Sequence, residues 1–466
     1  MKIVLKNFHI IDAETDFCDS LVIENGIISE IINSASGASV SGGNSSIENG
    51  AAIIIDGAKL LDKNGTVPQC KSDSGQPEKL PVLMPAFVDL HAHFRDPGAG
   101  KNGTSLPDGA PFPAETLESA SLAAASGGFG TVVSMANTRP PIDTIEKAAA
   151  IKRRCDALGL IDLYPVISLT KNMEGKELSG IADILPNSTY IPLMLSEDGK
   201  DLGSDELFLK AMKEAKRIGI PVSCHCDLGS NENNAVRRVI ELGKKADCHI
   251  HIDHISTKET VETIRQAKAA LAPLSGGFKL TCEVMPHNLC LIKEDAVKLG
   301  EKTWGRVNPP LSSEGDRQAL IEALSDGTID VIATDHAPHS ASDKEAGAPG
   351  FSGFETAFAA VYTELVRGGK KSCGADSALT KYIIEHKIDL KKLSSLMSAQ
   401  PAKLLGLQRG RLLSGYKADL VIIDTETSWT VKPELFKSRG KNPAFVNHQL
   451  FGKIIKTFHS GRVVFG

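Results

Sequence analysis

Between residues 81 and 336 the chain repeats one rhythm, an apolar run of strand length followed by a helical segment. The runs are PVLMPAFVDL (81–90), FGTVVSMAN (129–137), IDLYPVISLT (161–170), YIPLML (190–195), IPVSCHC (220–226), CHIHIDHIS (248–256), FKLTCEV (278–284) and TIDVIATDH (328–336). Continuous rather than alternating apolarity marks strands covered on both faces. Segments such as AETLESASLAAAS (114–126), SDELFLKAMKEAKRIG (204–219) and TKETVETIRQAKAAL (257–271) have the composition of crossover helices. Eight such units predict an α/β fold, a closed parallel (β/α)8 TIM barrel over residues 81–404. A doubly wound open sheet is the alternative. It grips phosphate with glycines directly after its first strand, whereas His91-Ala92-His93 stands there.

Outside this stretch the pattern changes to strict alternation. KIVLKNFHII and DSLVIENGIISEII near the amino terminus read as antiparallel strands with Asn25-Gly26 as a hairpin turn. GYKADLVIIDTE, SWTVK and FGKIIKTFHSGRVVFG near the other end read the same way. Residues 1–80 and 405–466 therefore predict one small β-sandwich subdomain built from both termini. Gly/Ser-rich residues 33–50 and polar residues 62–80 read as peripheral loops.

Composition narrows the function. With 52 Lys+Arg against 57 Asp+Glu the net charge is −5, so no basic sheath for nucleic acid is present. No run of about 18 apolar residues predicts a membrane span, no secretory leader pattern opens the chain, and an odd nine cysteines without paired spacing predict free thiols. Together these predict a cytoplasmic protein without a nucleic-acid or membrane partner.

The polar residues sit at the strands' carboxyl ends, which form the active mouth of a barrel. His91 and His93 follow the first strand, Asp198 the fourth, His225 the fifth, His254 the sixth and Asp335 the eighth. Residues i and i+2 on a strand share a face, so His91 and His93 can grip one ion. Four imidazoles and two carboxylates exceed one tetrahedral zinc and suit two ions, Zn2+ or a similar divalent cation, that share a bridging carboxylate. His249 and His251 compete with His254, which is favoured as nearest the mouth. Cys224 and Cys226 flank His225, point to the other face and read as packing. His287 reads as a satisfied structural histidine.

HAHFRDPG (91–98), MANTRP (135–140), EVMPHN (283–288), NPPL (308–311) and ATDHAPH (333–339) together resemble dihydroorotases of the long-chain type in the amidohydrolase superfamily, and GYKADLVIID (415–424) resembles that superfamily's carboxyl-terminal β-subdomain. The resemblance implies a metal-dependent barrel with two zinc ions and reversible hydrolysis of L-dihydroorotate to N-carbamoyl-L-aspartate. It assigns His91 and His93 to one ion, His225 and His254 to the other, and Asp198 as bridge. Asp335 would serve as ligand and as general base, then acid. Some members use a carboxylated lysine as bridge, and Lys200 is the nearest lysine here. For the substrate, it implies Arg95 on the carboxylate, with Asn137, His339, Asn308 and the backbone at Pro349 and Gly350 around the ring, and His93 beside them. The loop Ser340 to Gly353 reads as a segment able to close over the ring. The connection between His225 and His254 is short for the family, and residues 103–113 look inserted. A related hydantoinase- or allantoinase-like cyclic amidase is the nearest rival, and an inactive scaffold of aspartate transcarbamoylase a more distant one. A homodimer, and association with that transcarbamoylase, are the partner expectations.

Overall fold

The computed structural model describes residues 1–33, 52–61, 80–96, 114–200, 202–226, 231–271, 277–368 and 388–466. The expected loops at 33–50 and 62–80, apart from residues 33 and 80, and the insertion at 103–113 lie outside these residues.

The chain opens with strands β1 (Lys2–Ile11), β2 (Asp16–Glu24), β3 (Ile27–Ile32), β4 (Ile53–Asp56) and β5 (Val82–Pro85). Eight parallel strands follow: β6 (Phe87–Ala92), β7 (Phe129–Ser134), β8 (Asp162–Pro165), β9 (Leu195–Ser196), β10 (Val222–Cys224), β11 (His249–Ile252), β12 (Lys279–Val284) and β13 (Val331–Ile332). The last five are β14 (Leu420–Asp424), β15 (Trp429–Thr430), β16 (Gln449–Leu450), β17 (Lys453–His459) and β18 (Arg462–Phe465).

Strands β6 to β8 and β9 to β13 form two parallel sheets. Parallel bridges Ile167–Leu195 and Ala92–His336 join them into a ring. This is the expected (β/α)8 barrel. The glycine spacing GAGKNG at 98–103 fits the open-sheet fingerprint as a pattern, but closure of the ring excludes that sheet. The crossover helices begin where the chemistry allows. Ser204 caps Asp205–Ile218, Asn231 caps Glu232–Ala246, and Gly219 (φ 84°) ends the first of these in the left-handed conformation. The helix Glu232–Ala246 fills most of the short connection between His225 and His254.

The first apolar run is not one strand. Residues 82–85 pair antiparallel with β14, and the Ala86 amide donates to the Asp419 carbonyl at 2.9 Å. The barrel strand starts only at Phe87, so the boundary expected at residue 81 moves to about 86. An apolar run gives no sign of which sheet owns which half, because both halves are fully buried.

The terminal strands form one hydrogen-bonded path, β18-β17-β14-β5-β1-β2-β3, with β4 on β1. Strands from both ends of the chain thus share the expected subdomain. A bulge in β1 between Leu5 and Phe8 lets it change neighbours, from β4 to β5. Both halves bury side chains in one core that includes Leu5, Phe8, Ile10, Leu21, Leu83, Leu420 and Phe458. Asn25 and Gly26 turn the β2–β3 hairpin with positive φ at both residues (51° and 84°).

A third apolar cluster, with Leu291, Val307, Phe351, Phe436 and Phe445, supports the loops on one side of the mouth. The seven cysteines among the described residues form no disulfide with one another. Among the described residues no helix is long and apolar enough to cross a membrane.

Candidate active site and metal centre

Six side chains converge at the carboxyl ends of the barrel strands. Each sits at or just past a strand end: His225 one residue beyond β10, His254 two beyond β11 and Asp335 three beyond β13. His91 and His93 meet edge to face with ring centroids 5.5 Å apart. Two three-residue groups result, His91-His93-Asp198 and Asp198-His225-His254, each with its ligand atoms within 4.8 Å of one another. Asp198 belongs to both.

Neighbours set which nitrogens face the centre. His91 Nδ1–H donates to Glu283 Oε1 at 2.8 Å, which leaves Nε2 turned towards Asp198 Oδ1 (3.4 Å) and Asp335 Oδ1 (3.7 Å). That Nε2 is buried and has no hydrogen-bond partner among the described residues. His93 Nδ1–H donates to Asn137 Oδ1 at 2.9 Å, and its Nε2 lies 3.0 Å from Asp335 and 3.5 Å from Asp198. His225 Nδ1 stands 3.2 Å from Asp198 and 2.7 Å from His254 Nε2. An orphaned imidazole nitrogen, neighbours that fix the ring orientations, and shared carboxylates are the donor set of a divalent cation site. The residues present fit such a group.

Charge follows the same geometry. Burial disfavours every charge here. Against it, Asp198 raises His91 well above the usual imidazole range, and His91 and His225 in turn hold Asp198 well below the usual carboxylate range. Asp335 is also held low, chiefly by His93 and His91. His254 goes the other way, to about 3, through burial and the neighbouring His225.

Several expected contacts acquire different partners. Lys200 is exposed and its ammonium meets the Met173 carbonyl, so it does not enter either group. Asn137 was expected to donate to the substrate. Its amide also donates to Asp198 Oδ2 at 2.9 Å while its carbonyl holds His93. A structural pairing of Arg95 with Asp96 is not made, because Asp96 takes both terminal nitrogens of Arg154, at 2.6 and 2.9 Å. Arg95 turns inward and stands 3.4 Å from His339 Nε2, whose ring also meets the Pro349 carbonyl at 2.9 Å. Asn308 is half-buried, in the segment that runs beside Gly350. His287 is buried, with Nε2 unpartnered among the described residues. Cys224 and Cys226 are buried in the barrel's apolar core, as packing residues should be.

Other functional residues escape sequence reasoning. Glu283 accepts from both His91 and His251, and a chain continues from His251 Nδ1 to Thr281 Oγ1 (2.8 Å) and on to His249 (3.0 Å). Asp89 accepts from the backbone amides of Thr334 (3.0 Å) and His91 (3.2 Å), tying β6 to the segment before Asp335. The available signal was an acidic residue inside an otherwise apolar strand run. Asn442, from the carboxyl-terminal segment, accepts from the His339 amide (3.0 Å) and donates to the Gly350 carbonyl (3.0 Å). No local pattern announces it.

The amidohydrolase family model matches residues 82–464. A dihydroorotase from Clostridium botulinum (strain Eklund 17B / Type B) is 34% identical over 99% of each chain. One from Geobacillus sp. (strain WCH70) is 34% identical over 89% of this chain and 98% of its own. Among solved structures, the L-hydantoinase from Arthrobacter aurescens superposes with a TM-score of 0.74 at 22% identity, covering 99% of this chain and 95% of its own. That likeness is one of fold. The extent of the match and the identity over nearly the whole length place the chain in the amidohydrolase family, on its dihydroorotase branch.

Proposed function

We propose that the chain catalyses the reversible hydrolysis of the cyclic amide of L-dihydroorotate to N-carbamoyl-L-aspartate, a step of de novo pyrimidine synthesis, with two zinc ions per chain. The observation that carries this reading is the pair of His/Asp groups sharing Asp198 with Arg95 turned to the same mouth. A substrate with one carboxylate beside an uncharged ring matches one planar cation beside neutral donors.

His91, His93, Asp198 and Asp335 would hold one ion, and Asp198, His225 and His254 the other. Bound there, divalent ions supply water activation at neutral pH and polarise the amide carbonyl. The chain's own groups do the rest. Arg95 takes the substrate carboxylate in a charge-assisted pair. His339, Asn308 and the Pro349–Gly350 backbone flank the ring. Asn137 keeps His93 and Asp198 in register. Asp335 accepts the proton from the attacking water and delivers it to the departing ring nitrogen, which completes ring opening.

The test is turnover by the purified chain of L-dihydroorotate and of N-carbamoyl-L-aspartate, with hydantoin and allantoin in parallel. Dihydroorotate should be the preferred ring. Faster turnover of a ring without the carboxylate would overturn the reading. Metal analysis should find about two zinc ions per chain, as a two-metal site requires.

A further inference from the structure

Lys344 is fully buried, at 0% exposure, yet pairs with no carboxylate among the described residues. It lies on the short helix Ala341–Glu345, which Ser340 and Asp343 cap reciprocally. Its ammonium donates to three main-chain carbonyls: Arg306 at 3.0 Å, Ala348 at 2.8 Å and Gly350 at 3.0 Å. The face of Phe351 lies 5.5 Å away. Three N–H donors meet three acceptors, so every donor of the buried ammonium is satisfied.

Those acceptors belong to two separate segments. Arg306 is two residues before Asn308, while Ala348 and Gly350 bracket Pro349. The same segments are stitched once more, since the Gly350 amide donates to the Arg306 carbonyl at 2.9 Å. Gly350 has φ 125°, and a Cβ there would fall 2.5 Å from the Cβ of Ala337, so the backbone presses directly against the strand-end segment after Asp335. Asn442 grips the Gly350 carbonyl from the other side. The loop expected to close over the substrate is thus fixed at its centre by a cation. Burial and the nearby Arg306 lower the Lys344 pKa to about 8, which leaves it mostly protonated at neutral pH.

We propose that Lys344 is a positioning residue: its ammonium sets the register of residues 306–308 against 348–350, and so fixes the wall that receives the ring of the cyclic amide. The proposal rests on the dihydroorotase reading and adds the group that builds its ring subsite. Lys344 touches no substrate, and its contribution falls on binding rather than on proton transfer.

The experiment compares Lys344→Met and Lys344→Gln with the unmutated chain, measuring KM and kcat for L-dihydroorotate, bound zinc and circular dichroism. Methionine has similar length and no donors. It should raise KM about tenfold or more and leave kcat within about threefold, with zinc content unchanged. Glutamine keeps two donors and should raise KM by a smaller factor. Unchanged KM in a folded, zinc-loaded Lys344→Met overturns the proposal, as does a loss confined to kcat. If Lys344→Met does not fold, Lys344→Gln decides by the same KM criterion. If neither folds, Lys344 is a stability element and the proposal fails. The unmutated chain is assayed first, so failure of the dihydroorotase reading itself, which would take this proposal with it, shows before any variant is made.

Discussion

Asp335 holds its carboxylate at the centre from a left-handed backbone, φ 44°, and Arg95 (φ 55°) and His254 (φ 32°) do the same. Such conformations cost a non-glycine residue roughly 1–2 kcal/mol, and they persist where neighbours over-determine them. Here Thr334 and His336 flank Asp335 with fixed bonds: Thr334 N to Asp89 (3.0 Å) and His93 N to the His336 carbonyl (2.8 Å). Aspartate and asparagine tolerate the left-handed region best. Asp335→Asn should therefore keep the fold while it removes the proton acceptor and weakens metal binding, with kcat falling about 10²- to 10⁴-fold or more and an unchanged circular dichroism spectrum. Undiminished turnover would remove Asp335 from the mechanism. Arg95→Met deletes one charge-assisted contact and should raise KM about tenfold to a hundredfold with less effect on kcat. A KM equal to that of the unmutated chain would dissociate Arg95 from the substrate carboxylate.

At the scale of elements, the site depends on strands holding one another's side chains. Glu283 on β12 reaches His91 on β6 and His251 on β11 with its two oxygens, at 2.8 and 3.1 Å. Replacing it with glutamine leaves one oxygen acceptor for two N–H donors. His91 then loses its fixed orientation, and zinc affinity should fall about 10- to 100-fold, measured by competition with a chelator. Full retention of zinc would show that His91 needs no such support. The residues of the candidate centre were legible because barrel geometry sends strand ends to one mouth, so position in the sequence stood in for position in space. Glu283 was not legible as a support, since its partners lie 192 and 32 residues away and pair only through strand register. The same reason hid the split at Pro85-Ala86 and the second role of Asn137. Lys344 sits five residues past the ATDHAPH motif, but nothing local says that its charge turns inward.

At the scale of the whole molecule, the barrel and the terminal sheet are joined by charge as well as by apolar packing. Asp162 begins β8 on the barrel, and Arg409 and Lys417 reach it from the segment leading into β14, Arg409 Nη1 at 2.8 Å. Asp419 and His459 complete the cluster. These side chains could geometrically hold a metal, but two fixed cations already neutralise the two carboxylates, so the cluster is a structural joint. Burial works against ionisation of Asp162, but Arg409 and Lys417 prevail and lower its pKa from 3.8 to about 2. The sign follows from linkage. The folded state holds its proton less tightly than the unfolded chain, so the carboxylate contributes stability above pH 4 and loses it as pH falls towards 2. The side chain is only 16% exposed, so little of this is lost to solvent screening. The full contribution is about 2 kcal/mol, with about half gone by pH 3. Asp162→Asn should therefore lower the unfolding free energy in urea by about 2 kcal/mol at pH 7, and the gap to the unmutated chain should narrow to about half at pH 3. A gap that stays constant across that range would mean that Asp162 acts through packing or neutral hydrogen bonds, and that the joint between barrel and sheet is not electrostatic.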